Sequence, residues 1–514
     1  MGRSSRRVKK SFMDVVLAVD LGTTALKCAL HDLQGNVVAK DTEEYQLITP
    51  DALSVEMDTE TYWRAFSTAV AKVMKVSGIA PADVKALGLS AQGETLIVVD
   101  KSGKPLRRAI VWLDNRAQSE ADELGELLGH RHAYKITGQV KLVPTWPAAK
   151  ILWLRRHEPK LFDKVNKFLL LEDYFLHRMT GEYVCEGSLV TSTCYWNFRT
   201  KKWWPEMLNT LGITTAQLPR YCESGVPVGK LLPKVAEELG LSQQTVACMG
   251  ALDQACGAIG VGNIRPGIFS ENTGAALAIC ATVSQPTLDP NNQMPCHYHG
   301  VPDLYMLHTF TSGGIVLRWF RDEFAQMEKA KAQANGLDAY DLMGEEAARV
   351  PPGSEGLVML PHLQGAMAPE ANPKAKGVFF GFTLRHGRGH FMRAIMEAVG
   401  FIVQRNLEVI EGLGVPVNEI RALGGGAHSR LWKQIEADIT RRPVVTTTNE
   451  EAATLGAAIL AGKAVGLYAS IEEAAKQMVQ IKERFEPNSK NFTLYEEAYG
   501  TYVQLYNRLC PLFG

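Results

Sequence analysis

The chain has 514 residues, and its 55 lysines and arginines balance 55 aspartates and glutamates, so the formal net charge is zero. Such neutrality offers no global attraction to nucleic acid or to an anionic membrane, and 46% hydrophobic against 21% charged residues excludes a disordered chain. At about 100–200 residues per domain, the length corresponds to two to four domains.

Residues 1–12, with Arg3, Arg6, Arg7, Lys9 and Lys10, read as a disordered basic extension ahead of a start at Met13. The apolar run at 15–19 stops at Asp20 with no cleavage-site pattern, unlike a signal peptide. No apolar stretch approaches the roughly 20 residues of a membrane helix. The nine cysteines are odd in number and scattered, with no C-x-x-C pair, as in a protein of the reducing cytoplasm.

Two apolar runs, residues 15–20 and 25–31, flank Gly22-Thr23-Thr24, and the turn at 32–36 leads into 37–41. This pattern predicts an antiparallel hairpin or meander. Residues 59–76 have helical spacing, with Trp63, Phe66, Val70 and Val73 on one face. Strands are expected at 86–90, 96–99 and 109–112, and helices over most of 117–180. The alternation indicates an α/β protein. The turn cluster Asn263-Ile264-Arg265-Pro266-Gly267 suits a domain junction. Beyond it, residues 268–272 and 275–281 flank Thr273-Gly274, as if the first hairpin were repeated. Ile395, Ala398, Val399, Ile402, Val403 and Ile410 predict an amphipathic helix. Finally, Leu423-Gly424-Gly425-Gly426-Ala427 ends a strand and opens a helix whose apolar face holds Leu431, Ile435 and Ile439.

Three places carry candidate chemistry. At Asp20-Leu21-Gly22-Thr23-Thr24, glycine lets the backbone approach an anion, while the Thr23 and Thr24 hydroxyls and Lys27 can serve phosphate oxygens. Asp20 is placed to hold hydrated Mg²⁺ beside them; the alternative is an ordinary hairpin. The triple glycine before a helix suits a nucleotide at the helix N-terminus, or close helix–strand packing. Asp253 is either the base for a substrate hydroxyl or a turn aspartate. Cys296-His297-Tyr298-His299 lacks a zinc spacing, and Trp196, Trp203 and Trp204 are expected to pack rather than stack on a ligand.

These pieces resemble the FGGY carbohydrate kinases, a branch of the actin–hexokinase–Hsp70 superfamily. Residues 147–157, with Lys150-Ile151-Leu152-Trp153, are similar to the family's first signature. Residues 377–382 with 390–397 are similar to the second, Phe382 replacing an aliphatic residue, and the stretch 356–369 is similar to the segment before it. The resemblance implies two RNase H-like domains, residues 13–262 for the sugar and phosphate hairpin and 263–514 for adenosine, with the active site in the cleft between them. It implies ATP and Mg²⁺ as cofactors, Asp253 as catalytic base, also associated with the metal, and Asp20 as metal-associated. Thr23, Thr24 and Lys27 fall at the phosphate hairpin, Thr273, Gly274, Gly313 and Gly314 in a second phosphate region, and Gly425, Gly426, Ala427 and Arg430 at the adenosine site.

The sugar pocket is expected from Gln92, Glu94, Trp112, Asp114 and Gln254. Gln92, Glu94, Thr95 and Asp253-Gln254 follow the glycerol-kinase pattern, but Gly93 replaces an arginine and Thr145 a tyrosine, which enlarges the pocket beyond a triol. Trp112-Leu113-Asp114-Asn115-Arg116 is closer to the pentulose-kinase pattern. The resemblance therefore implies phosphorylation of a primary hydroxyl on a ketopentose such as D-xylulose. Glycerol, erythritol, L-fuculose or gluconate are alternatives, as is a non-catalytic ATP-dependent switch of the Hsp70/actin kind. The expected partners are a small sugar or polyol and ATP, without nucleic acid or membrane, in a cytoplasmic protein compatible with a homodimer.

Overall fold

In the computed structural model, residues 14–514 are described; the basic stretch 1–12 lies outside the described residues. The first strand, β1 (Val15–Leu21), is apolar except for Asp20 and is buried on both faces, as expected of a strand at the centre of a covered sheet. It turns through Gly22-Thr23-Thr24 into β2 (Ala25–Asp32), pairing antiparallel from Val15 with Asp32 to Leu21 with Leu26. Strand β3 (Val37–Glu44) follows on β2's other side. Helix α1 (Thr59–Ser77) buries Trp63, Phe66, Val70 and Val73 and leads to β4 (Val84–Ala91), parallel to β1. Helices α2 (His130–Thr137), α3 (Pro147–His157), α4 (Leu171–Thr180) and α5 (Gly187–Thr191) precede β5 (Pro227–Lys230) and β6 (Val246–Leu252). The first sheet has the order β5-β6-β4-β1-β2-β3. Helix α6 (Asp253–Gly260) leaves the end of β6.

The second sheet repeats this plan. It comprises β7 (Gly267–Thr273), β8 (Ala276–Val283), β9 (Cys296–Tyr298), β10 (Tyr305–Ser312), β11 (Val417–Leu423), β12 (Val444–Thr447) and β13 (Ile481–Phe485). Its order is β9-β10-β8-β7-β11-β12-β13. Setting β9 aside, each strand has a counterpart: β1-β2-β3 matches β7-β8-β10, β4 and β6 match the parallel β11 and β12, and both sheets end on an antiparallel edge strand. The duplication suspected from two Gly-Thr hairpins is thus a repeat of topology.

Helix α7 (Arg388–Gly412) differs from its amphipathic expectation, since Met392 to Val403 is buried all round, Arg393 and Glu397 included. Arg393 Nε donates to Glu397 Oε1 at 2.8 Å and Nη2 to the Tyr495 hydroxyl at 2.7 Å, which satisfies the buried charges. Helix α8 is Arg430–Thr440. Helices α9 (Ala452–Ala464) and α10 (Ile471–Met478), although late in the chain, pack into the core of the first sheet through Leu455, Ile459, Leu460, Ile471 and Met478. Residues 263–514 are therefore not closed on themselves. The α9 sequence, AATLGAAILAGKA, is apolar on all sides, the mark of a helix covered on every face. Its partner is α6, the helix in the equivalent place after β6. The contact leaves no room for side chains: a Cβ on Gly260 would lie 1.9 Å from the Ala452 carbonyl oxygen, and one on Gly456 1.9 Å from that of Cys256.

Candidate active site

Three carboxylates collect at the C-terminal ends of three adjacent strands, β1, β4 and β6, where open α/β sheets bind ligands. Asp20 lies near the end of β1 beside its register partner Ser90, whose Oγ donates to Asp20 Oδ1 at 2.7 Å. Burial raises the Asp20 carboxyl, while Ser90 and Lys27 pull it down. Glu94 follows β4 with φ 58°, and burial raises it also, against the Ser192 hydroxyl and the Lys150 ammonium. Asp253 is the first residue of α6, and the Gln254 N–H donates to its Oδ1 at 2.7 Å. Burial first, then the charges of Asp20 and Glu94, push Asp253 up to about 7. A carboxyl poised there exchanges protons efficiently at neutral pH.

The Asp20 charge raises Asp253, so a cation beside the two would be favoured. Among the described residues no cluster of three or more histidine, cysteine or acidic side chains forms a metal cage. Two carboxylates suit an ion that keeps most of its waters and binds with phosphate, as Mg²⁺ does.

The pocket beside these carboxylates is built differently from the sequence expectation at several positions. The Gln92 carboxamide accepts from Thr23 Oγ1 at 3.2 Å and donates to the Gly22 carbonyl at 3.1 Å and the Tyr62 hydroxyl at 3.2 Å. It braces the hairpin. Thr23 Oγ1 also accepts from the Trp112 indole at 2.8 Å, which ties the hairpin to that ring. Thr24 is exposed at the tip. Lys27 pairs with Glu451 at 3.2 Å. Asp114, expected to contact sugar hydroxyls, is fully buried: it takes the Arg116 guanidinium on both oxygens and the Val55 N–H at 2.6 Å. Its acceptors are used up inside the fold.

In the second sheet, the Thr273 hydroxyl donates to Glu271, which the buried Lys433 ammonium also holds. Gly313 and Gly314, expected near phosphate, spend their amides on the carbonyls of Ala275 at 3.3 Å and Gly274 at 2.9 Å, so they pack one loop onto another. Gly424 to Ala427 form a tight turn ahead of α8. A cavity at the ends of β11 and β12 is lined by Gly424, Ala427, His428, Thr447, Glu450 and Lys482. Gly425 and Gly426 belong to the same turn but are not among its lining residues, and Arg430 does not line it either. Arg430 is 78% exposed and held by Glu483 at 2.5 Å.

The sequence reading passed over several residues. Lys150, in the first signature, is fully buried and donates to the carbonyls of Glu94 and Val111. Phe310 on β10 faces Trp112 across the cleft, ring centres 6.5 Å apart at 78°. Its alternation with His308 along the strand was available as a signal; its meeting with a residue about 200 positions earlier was not. Gln139 meets His297 Nε2 at 3.2 Å, and His299 Nδ1 accepts the Val301 N–H at 3.0 Å, so the histidines beside Cys296 are engaged in packing.

Comparison with known proteins bears on this arrangement. The N-terminal domain of the FGGY family of carbohydrate kinases matches residues 15–260, and its C-terminal domain matches residues 278–465. The xylulose kinase of Bacillus subtilis (strain 168) is 32% identical over 96% of this chain and 97% of its own length. The gluconokinase of the same organism is 31% identical over 95% of each. Ligand-bound xylulose kinase from Lactobacillus acidophilus superposes with a TM-score of 0.88 at 27% identity, over 97% of this chain and 99% of that one. Gluconate kinase from L. acidophilus gives 0.87 at 27% identity, over 97% and 98%. With both domains matched in order and a relative above 30% identity along nearly the whole chain, the protein belongs to the FGGY family of carbohydrate kinases and is a sugar-kinase phosphotransferase.

Proposed function

We propose that the protein transfers the γ-phosphoryl group of ATP to a primary hydroxyl of a ketopentose, D-xylulose first among them. The observation that carries the reading is the Asp253 carboxyl, pushed up to about 7 beside Asp20 and Glu94 at the strand ends. In this reading Asp253 accepts the proton of the substrate hydroxyl as it attacks in line. Glu94 accepts from a neighbouring sugar hydroxyl, Gln254 lies beside the base, and Trp112 with Phe310 walls the carbon chain. Gly93 is closely packed: a Cβ there would lie 3.1 Å from Leu252 Cδ1 and 3.7 Å from Ser192 Oγ, so the distances themselves do not enlarge the pocket. Asp20 and Asp253 are the residues that would hold Mg²⁺, which with the nucleotide supplies charge neutralisation at the β- and γ-phosphate oxygens. Thr24, Lys27 and the Gly274 loop bound the phosphate path, and the Gly424–Ala427 turn with its cavity takes the adenosine end.

Gluconate is the second reading, favoured by the relatives of that name. Three acidic groups around the reacting position disfavour an aldonate, because its own charge would meet theirs. The free, largely buried thiols fit a cytoplasmic protein. The test is ADP release coupled to a reporter across D-xylulose, ribulose, L-fuculose, erythritol, glycerol and gluconate. D-xylulose is expected to give the highest kcat/KM; a higher value for gluconate would replace the first reading with the second.

A further inference from the structure

Strand β6 carries Asp253 at its end, and it does not run straight. It pairs with β4 in register as far as Cys248 opposite Gly88, and pairing resumes with Ala251 opposite Ser90. Three steps on β6 span two on β4, so β6 holds one extra residue, a β-bulge. Because side chains alternate faces along a strand, one inserted residue reverses the face to which everything after it points. Asp253 follows directly on the shifted segment, as the first residue of α6.

A bulge releases backbone amides from the ladder, and buried amides need other acceptors. Here they find side chains from two separate helices. The Gly250 N–H donates to Glu172 Oε1 on α4 at 2.8 Å, and the Leu252 N–H donates to Ser188 Oγ on α5 at 2.9 Å. The serine is itself fixed, since its Oγ donates to Glu186 Oε1 at 2.7 Å and its N–H to Glu186 Oε2 at 2.7 Å. The Leu189 N–H at 2.6 Å and Ser224 Oγ at 3.0 Å bring the donors to Glu186 to four. Glu172, Glu186 and Ser188 have no exposure to solvent. Gly250 admits no side chain, because a Cβ would fall 1.7 Å from the Leu89 carbonyl oxygen.

We propose that Glu172 and Ser188 are positioning residues that hold the bulge open and so aim Asp253 into the cleft. The proposal rests on the reading of Asp253 as the base. Neither residue reaches the reacting atoms; both act through the two amides that precede Asp253. Burial, with Glu186 and Asp173 close by, pushes the Glu172 carboxyl well above its ordinary range. What it supplies is an acceptor oxygen of fixed position, and a glutamine supplies the same.

The experiment compares steady-state kinetics and thermal melts of Glu172→Met, Glu172→Gln, Ser188→Ala and Asp253→Asn, with the sugar that the substrate panel selects. Glu172→Met and Ser188→Ala are expected to lower kcat about 10–100-fold, the scale of a misplaced reacting group, while KM for ATP stays within about twofold. Glu172→Gln is expected to recover most of the kcat lost in Glu172→Met. If Glu172→Met does not fold, Ser188→Ala carries the test, because it leaves the Glu186 cap on α5 in place. Unchanged kcat in Glu172→Met and Ser188→Ala, with Asp253→Asn inactive, would overturn the positioning role and leave the base reading standing. Loss of kcat with a matching rise in both KM values would mark simple structural damage and overturn it equally. Turnover retained in Asp253→Asn would remove the base reading, and the positioning role with it.

Discussion

The Lys150 ammonium, without any exposure to solvent, lies 3.1 Å from the carbonyl oxygen of Glu94 and 2.9 Å from that of Val111. It clamps a residue held at φ 58°, a backbone state that costs a non-glycine residue about 1–3 kcal/mol. Lys150→Met keeps the side-chain length but removes both donors. The expected result is a fall in kcat/KM for the sugar of about 10–100-fold, with KM for ATP within about twofold. Sugar and ATP kinetics measured side by side check it; equal losses for both substrates would contradict it.

The pH dependence follows from Asp253. With its carboxyl at about 7, the base form is lost on acidification, so kcat/KM should drop about tenfold per pH unit below that value and level off above it. A profile flat from pH 5.5 to 8 would exclude Asp253 as the titrating base.

The same shift has a stability consequence of definite sign. The folded-state pKa stands above the ordinary value of 3.8, so the folded chain binds the extra proton between about 4 and 7. The stability gained from that proton is complete below about 4 and disappears as pH rises through 7. Asp253→Asn removes the buried charge, so it should raise the melting temperature at pH 8 by about 2–4 °C and by much less at pH 5. Melting curves at the two pH values decide the matter.

Phe310→Ala removes the aromatic partner that the second lobe offers to Trp112. The pair contributes about 0.5–1.5 kcal/mol beyond the area it buries, so KM for the sugar should rise about 3–10-fold with kcat less affected. A change confined to KM for ATP would show that Phe310 has no part in the sugar pocket.

At Gly456 a methyl group would lie 1.9 Å from the Cys256 carbonyl oxygen. Gly456→Ala should therefore force α6 and α9 apart and destabilise the protein by about 1–3 kcal/mol or more, as overpacking does. Gly466→Ala, where a Cβ meets nothing, is the control for space, although its φ of 77° carries its own strain. Thermal melts of the two variants separate crowding from backbone effects.

Much of this architecture was legible in the sequence because it is local. The hairpin at Gly22, its repeat at Gly274 and the apolar strands behind Asp20 and Asp253 are continuous patterns. What escaped depends on contacts between distant positions. Glu172 meets Gly250 and Ser188 meets Leu252 across more than 60 residues, and the bulge exists only relative to β4. Asp114 is expected at the sugar because residues 112–116 resemble the pentulose-kinase pattern. The pattern does not announce that Arg116, two residues on, folds back onto it. Arg430, which the resemblance puts at the adenosine site, lies exposed against Glu483, and a charged residue opening a helix is equally at home on the surface.

The glycine contact between α6 and α9 has a mechanical consequence. Cys256, which touches Gly456, lies only three residues after Asp253, about 4.5 Å along the helix axis. Both helices lie in the core of the first sheet, so the base stands three residues from a backbone-to-backbone contact that leaves no room for a side chain, and its place is set by that contact as well as by the strand before it.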